Sequence, residues 1–400
     1  MTHIVDQITF GAIVQVRDRL LAQQARGRKV LRLESGDPSF DIPAHAREAM
    51  EQALRDGQTH YTASTGIPAL RQAIFQKVTG ENGLHIPGPE HVVVTNGGMN
   101  GLYMLFRALL EPGDEVILPD PMWTEIAEHI RLGGGEPVRV RLRKAEDYRY
   151  HPEDIQAALT PRTVAIYLNT PHNPTGALMR RPELEAIAKI AERHDLTLVS
   201  DEAYEHITFD GERHISIGSL PAARDRTISV YSLSKTYAMS GLRLGYVVTA
   251  DEVVLERLKK LVRCTINGVN SVAQAGAVAA ITGSQEDTHA MLQEYQLRRD
   301  VLFDALQAAP YLEPFKPSGA FYMWARITPD WPGYQGKRDA WSMTDYLIDQ
   351  AGIGSTPGSA FGPAGEAHMR FAFSCSTEQV REAAALLPET LRLAAGMPAE

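Results

Sequence analysis

In the run Ser232-Leu233-Ser234-Lys235, a lysine follows a small-residue turn, and Arg243 stands eight residues further on between Gly241 and Gly245. An amine that loses its proton, through burial or a neighbouring charge, can form a Schiff base with an aldehyde. A guanidinium close by can clamp a phosphate through two parallel hydrogen bonds. Glycines at 241 and 245 would let the backbone pass close to such a group. Taken alone, Ser-Leu-Ser-Lys is equally an ordinary turn with a solvated lysine, so the rest of the chain must decide.

Other stretches supply matching groups. The β-branched run His91–Thr95 leads through Asn96-Gly97-Gly98-Met99 into a helical pattern at Leu102, Leu105, Phe106 and Leu109. A strand, a glycine turn and a helix N-terminus together present backbone N–H groups to an anion, here at Gly98 and Met99. Trp123 follows the strand candidate Glu115–Leu118 and can either stack on a planar heteroaromatic ring or fill the core. Asp201-Glu202-Ala203-Tyr204 ends the strand candidate Leu196–Ser200, the place where open α/β sheets put their ligands. Thr163–Leu168 runs into Asn169-Thr170-Pro171-His172-Asn173-Pro174-Thr175-Gly176, whose two prolines and glycine demand a fixed loop shape. Gly36-Asp37-Pro38 marks a turn, and Arg370 sits on a short strand at 368–374 that, read alone, is a surface edge strand.

The elements that must position these groups are visible as patterns. Ile13, Val14, Val16, Leu20 and Leu21 recur at helical spacing, and Pro68 opens a second helix with Leu70, Ala73 and Ile74. Strand and helix patterns alternate from about 91 to 250, which predicts a largely parallel sheet covered by helices on both faces. From about 290 the texture changes to a long helix through Tyr295, Leu302 and Leu306 and then a strand opening at Pro317-Ser318-Gly319-Ala320-Phe321-Tyr322. The segment 328–342, with Trp331 and Trp341, has no evident purpose in sequence.

At 400 residues with 44% hydrophobic content, the chain can build two domains. Its net charge of −9 offers no general attraction to nucleic acid or anionic membrane. Cys264 and Cys375 show neither metal nor disulfide spacing, and Met1–Phe10 holds no long apolar run. The expectation is a cytoplasmic protein without a metal.

In their order along the chain, the Ser232-x-x-Lys235 and Gly241-x-Arg243-x-Gly245 segments, the Asn-x-Pro-x-Asn-Pro-Thr-Gly loop and Asp201-Glu-x-Tyr204 resemble the class I/II aminotransferases, pyridoxal phosphate (PLP) enzymes of fold type I. The resemblance covers nearly the whole chain. It implies a large domain at 46–288 with a mostly parallel seven-stranded sheet, an N-terminal arm and small-domain segment at 1–45, and a small α+β domain at 289–400. It implies Lys235 as the residue forming the internal aldimine, Asp201 on the pyridine nitrogen, and Asn173 and Tyr204 on the phenolic oxygen. Gly98, Met99, Ser232 and Arg243 then hold the phosphate, and Trp123 covers the ring. Gly36, Trp123, Asn173 and Arg370 face the substrate, with Arg370 on its α-carboxylate. The segment Tyr61-x4-Gly66-x3-Leu70-Arg71 resembles one whose tyrosine reaches the phosphate of the partner subunit, which implies a homodimer.

The implied activity is transfer of an amino group from an L-α-amino acid to a 2-oxo acid in two ping-pong half-reactions. A C–S β-lyase or synthase of the same fold shares the first steps and is the alternative. A PLP-binding regulator is disfavoured, because the matched segments begin almost at Met1. Aspartate-preferring members often carry a lysine after the Gly-Gly pair, where this chain has Met99, and a thioether cannot compensate a second carboxylate. This weakens an aspartate preference without excluding it, since Arg17 or Arg263 could approach in the fold or across a dimer, and it leaves neutral, aromatic or branched substrates open.

Overall fold

The computed structural model describes residues 4–8 and 11–394. The stretch Met1–Phe10 and the outer ends of the 1–45 and 289–400 segments therefore lie partly outside the described residues.

The first strand, β1 (Leu31–Arg32), precedes the seven strands of the main sheet: β2 (Val92–Thr95), β3 (Glu115–Asp120), β4 (Glu136–Arg141), β5 (Thr163–Asn169), β6 (Thr197–Asp201), β7 (Thr227–Ser232) and β8 (Gly245–Thr249). Their order is β2-β8-β7-β6-β5-β3-β4. Pairs from β4 to β7 are parallel, while β8 runs antiparallel to both neighbours. A strand covered on both faces needs apolar residues at consecutive positions, which is why β2 and β3 are buried throughout. The edge strand β4 is largely open, as its alternating arginines predict. One face packs against the helices Gly98–Leu109, Glu125–Gly133 and Glu252–Thr265. The other packs against Arg181–Arg193, Pro68–Gly80 and Ser271–Thr282.

The later chain contributes β9 (Leu312–Phe315), β10 (Tyr322–Ile327), β11 (Ile353–Gly354), β12 (Thr356–Pro357) and β13 (His368–Ala372). An antiparallel sheet has the order β12-β13-β10-β9, and β11 pairs in parallel with β1. The N-terminal segment is thus tied to the C-terminal third of the chain. Among the described residues no helix is long and apolar enough to cross a membrane.

Two expectations change. The strand at 317–322 begins only at Tyr322, because Ser318 and Gly319 donate their amides to the Gly176 carbonyl, both at 3.0 Å, and fold residues 317–321 into a loop. A Cβ on Gly176 would stand 2.2 Å from the Pro317 side chain, so the two loops meet only because that residue is glycine, at φ +74°. The 328–342 segment also acquires a purpose. Trp331 is 1% exposed, meets Tyr311 and Tyr346 edge-on at 5.5 and 5.6 Å, and donates its indole N–H to Ser342 Oγ at 3.2 Å. Asp339 caps the helix Ala340–Ala351 by accepting from the Ser342 amide. This segment delivers an aromatic plug to the core under the second sheet.

Candidate active site

The C-terminal ends of β5, β6 and β7 bring Asn169, Asp201 and Ser232 to one edge of the main sheet. A cavity of about 320 Å³ opens there. Gly36, Gly98, Met99, Trp123, Asn173, Asp201, Tyr204, Ser232, Lys235, Arg243 and Arg370 all line it. Tyr61 does not: it is 92% exposed and borders a separate depression with His60 and Asn267. Neither Arg17 nor Arg263 lines the cavity of its own chain, and Arg17 pairs with Asp18.

Lys235 is presented by a single helical turn, Leu233–Thr236, whose start is capped by Ser232 Oγ accepting from the Ser234 amide. Its amine is enclosed and donates to the Gly36 carbonyl at 2.5 Å. Burial lowers its pKa to about 8, with Arg370 and Arg243 pushing the same way and Asp37 opposing them. Arg243 has left-handed backbone, φ +56°, and donates to the Ser240 carbonyl at 2.8 Å. Its guanidinium lies over the glycine turn: a Cβ on Gly97 would stand 2.6 Å from Arg243 Nη2. A Cβ on Gly245 would meet Gly98 N at 2.6 Å, so Gly245 does allow the close approach expected of it. Gly241 does not, since a Cβ there would meet nothing within 4 Å.

Asp201 is buried, and Tyr167 donates to its Oδ2 at 2.7 Å while the Ala203 amide donates to Oδ1 at 3.2 Å. Burial raises its pKa to about 6 against the pull of those two donors, and Glu202 adds to the rise. Asn169 donates to the Asp201 carbonyl at 3.1 Å and accepts the Asn173 amide at 2.9 Å, so one side chain holds both motifs in register. Tyr204 shares a hydrogen bond with Tyr322, 2.8 Å between hydroxyl oxygens.

Arg370 is not on a surface edge. Its strand β13 lies between β12 and β10, and the side chain is buried over the rings of Tyr322 and Phe361. It donates to Asn173 Oδ1 at 3.1 Å, the Glu34 carbonyl at 2.7 Å and Thr356 Oγ1 at 3.3 Å, all neutral oxygens, and its Nε is buried without a partner among the described residues. A buried guanidinium with a donor to spare is prepared for an anion.

Sequence reasoning missed Tyr167, Asn169 and Tyr322. Tyr322 explains the turn glycine, because a Cβ on Gly36 would stand 2.2 Å from its hydroxyl. The available signal was a period of two: Tyr167 and Asn169 share one face of β5 immediately before the proline loop.

The family model for aminotransferase class I and II matches residues 28–387. An aspartate/prephenate aminotransferase of Thermus thermophilus is 37% identical over 93% of this chain and 94% of its own length. An arginine–pyruvate transaminase of Pseudomonas aeruginosa is 37% identical over 93% of each chain. The solved aspartate aminotransferase from Thermus thermophilus with maleate superposes with a TM-score of 0.91 at 35% identity, covering 98% of this chain and 99% of that one. With its motifs gathered at one sheet edge and these relatives covering more than nine-tenths of it, the chain belongs to the aminotransferase class I and II family.

Proposed function

We propose that the cavity at the strand ends binds pyridoxal 5′-phosphate and moves the amino group of an L-α-amino acid to a 2-oxo acid. The observation that carries this reading is the convergence of an enclosed amine held near pH 8, a buried carboxylate and two guanidiniums on one cavity. The residues present fit the cofactor. The glycine turn, Ser232 and Arg243 offer donors for its phosphate at a helix N-terminus, in a cradle that side chains at Gly97 or Gly245 would fill. Asp201 suits a protonated ring nitrogen, Asn173 and Tyr204 the phenolic oxygen, and Trp123 a ring face. Bound there, the cofactor supplies an aldehyde carbon and an electron-withdrawing ring that stabilises negative charge on the substrate Cα.

The chain's own part is to bind, aim and move one proton. Arg370 and Asn173 hold the α-carboxylate and so orient Cα, beside the Gly36 backbone. Lys235 Nζ takes the proton from Cα when neutral and returns it as a general acid. Tyr61, fully open on this chain, suits a homodimer in which it reaches the other subunit's phosphate. The division into segments 1–45, 46–288 and 289–400 accords with the β1–β11 pairing and the two separate sheets. Two unpaired cysteines accord with a cytoplasmic enzyme.

The C–S β-lyase alternative loses ground because the named relatives are transaminases. The amino acids in those relatives' names range from aspartate to arginine, so the donor is read from the cavity. Its cations are Lys235, Arg243 and Arg370, each already assigned; its carboxylates are Asp201, also assigned, and Asp37, which accepts from Ser240 Oγ and acts on Lys235; and Ile13, Met99, Leu102 and Trp123 are apolar. The side chain it favours is uncharged.

The test is a visible spectrum of the PLP-reconstituted protein before and after a panel of L-amino acids, with Lys235→Ala alongside. A lysine-dependent band that is bleached by uncharged amino acids, with a 2-oxo acid released, supports the reading. A band unchanged in Lys235→Ala overturns the lysine assignment, and accumulation of ammonia and pyruvate moves the reaction to a lyase.

A further inference from the structure

We infer that Tyr167 is a positioning residue of this site: its hydroxyl keeps Asp201 anionic and aimed into the cavity, and so sets how tightly the pyridine ring is held. The inference rests on the assignment of Asp201 to the ring nitrogen. Inside a protein a carboxylate stays ionised only if donors replace the water it has lost. Asp201 has two protein donors, and Tyr167 is its one side-chain donor among the described residues, at a distance typical of a charge-assisted O–H···O bond. The neighbouring ionisable groups give no such help. Glu202 repels negative charge on Asp201, and the Tyr204 hydroxyl is paired with Tyr322 and makes no hydrogen bond to Asp201 among the described residues.

Tyr167 is built to donate without interruption. Its ring is 1% exposed, packed in the core 6.4 Å from the Phe106 ring, and Tyr150 donates to its backbone carbonyl at 2.9 Å. Burial first, and the adjacent Asp201 charge next, push its own hydroxyl well above the ordinary tyrosine range, so the proton stays in place. An apolar residue would fill the same position without stranding a hydroxyl in the core, so packing alone does not account for a tyrosine there. Together Tyr167 and Asn169 grip Asp201 from one face of β5, one at the carboxylate and one at the carbonyl.

The experiment measures the dissociation constant for PLP by absorbance titration of the apoprotein at pH 6, 7 and 8, in wild type, Tyr167→Phe and Tyr150→Phe. Phenylalanine keeps the ring and removes only the donor. A hydrogen bond to a charged group corresponds to roughly 10- to 100-fold in affinity, the loss expected for Tyr167→Phe at pH 7. That loss is greater at pH 6 than at pH 8, because an Asp201 with one donor fewer holds its proton to higher pH. Tyr150→Phe, which leaves Asp201's donors in place, stays within about 3-fold of wild type, as expected for a control outside the site. An unchanged constant in Tyr167→Phe overturns the inference, as does a loss that is the same at all three pH values and matched by Tyr150→Phe. Failure of the wild type to bind PLP overturns the cofactor assignment itself, a result distinct from either.

Discussion

Asp201 and Glu202 are consecutive carboxylates at the end of β6, both buried, and the protein treats them in opposite ways. Asp201 faces the cavity with Tyr167 and one amide for company, and burial wins, holding its pKa up at about 6. Glu202 points to the other side, into Ser200 at 2.9 Å, His214 at 2.8 Å, Ser229 at 3.3 Å and Ser216. Burial pushes Glu202 up too, but His214, Ser216 and Ser200 together bring it below its ordinary value. Burial and charge therefore do not by themselves single out the carboxylate proposed to act. A shortage of partners does, because a group left partly unsatisfied is ready for a ligand.

The largest expected effect lies on the cavity side. Lys235→Ala lowers the amino-acid half-reaction by at least about 10³-fold in single turnover, since the general base is gone. In the cofactor-free protein, the rate at which Lys235 captures an added aldehyde rises with pH through about 8, as the free amine loses its proton. A flat profile would break the assignment of the reactive amine to Lys235.

On the partnered side the readout is stability. Glu202→Ala strands His214 and several hydroxyls and costs about 3–5 kcal/mol in denaturant unfolding. Glu202 is lowered in the fold, so its contribution is present above pH ~4.5 and is lost as pH falls below that. Asp201 has the reverse sign. Its raised pKa means the native state binds more protons between about pH 4 and 6, so stability falls as pH rises through that window. Asp201→Asn should stabilise the apoprotein at pH 7–8 by on the order of 1–3 kcal/mol, a gain that vanishes below pH ~4. Loss of stability at pH 7 in that variant would erase the contrast between the two carboxylates.

The smallest effects come from the glycines flanking Arg243. Gly245→Ala drives a methyl to within 2.6 Å of Gly98 N and costs about 1–3 kcal/mol, whereas Gly241→Ala stays within about 0.5 kcal/mol. Thermal unfolding of the pair sharpens the difference between a glycine the site needs and one it does not.

Much of the site was legible because its groups come in contiguous motifs. The Asn173 loop, Asp201 with Tyr204, and Lys235 with Arg243 each occupy a strand end and the turn after it, where residue type and spacing appear together in sequence. Tyr167 was legible only through its period-two relation to Asn169, since one tyrosine in the run Thr163–Leu168 looks like core and its partner lies 34 residues away. Tyr322 and Arg370 reach the cavity from the second sheet, and their company could not be read from neighbours in the chain.

The sequence by itself determined the alternation of strands and helices, the chemistry available at each turn and the thioether, Met99, that follows the glycine pair. Those depend on local periodicity and residue type. Only the tertiary structure decided which buried polar groups are satisfied: that Arg370 lies inside a sheet with a donor to spare, that Gly241 approaches nothing, that Trp331 plugs the core, and that adjacent Asp201 and Glu202 differ. Protonation and readiness to bind depend on donors brought together across tens or hundreds of residues, and that proximity exists only after the chain has packed.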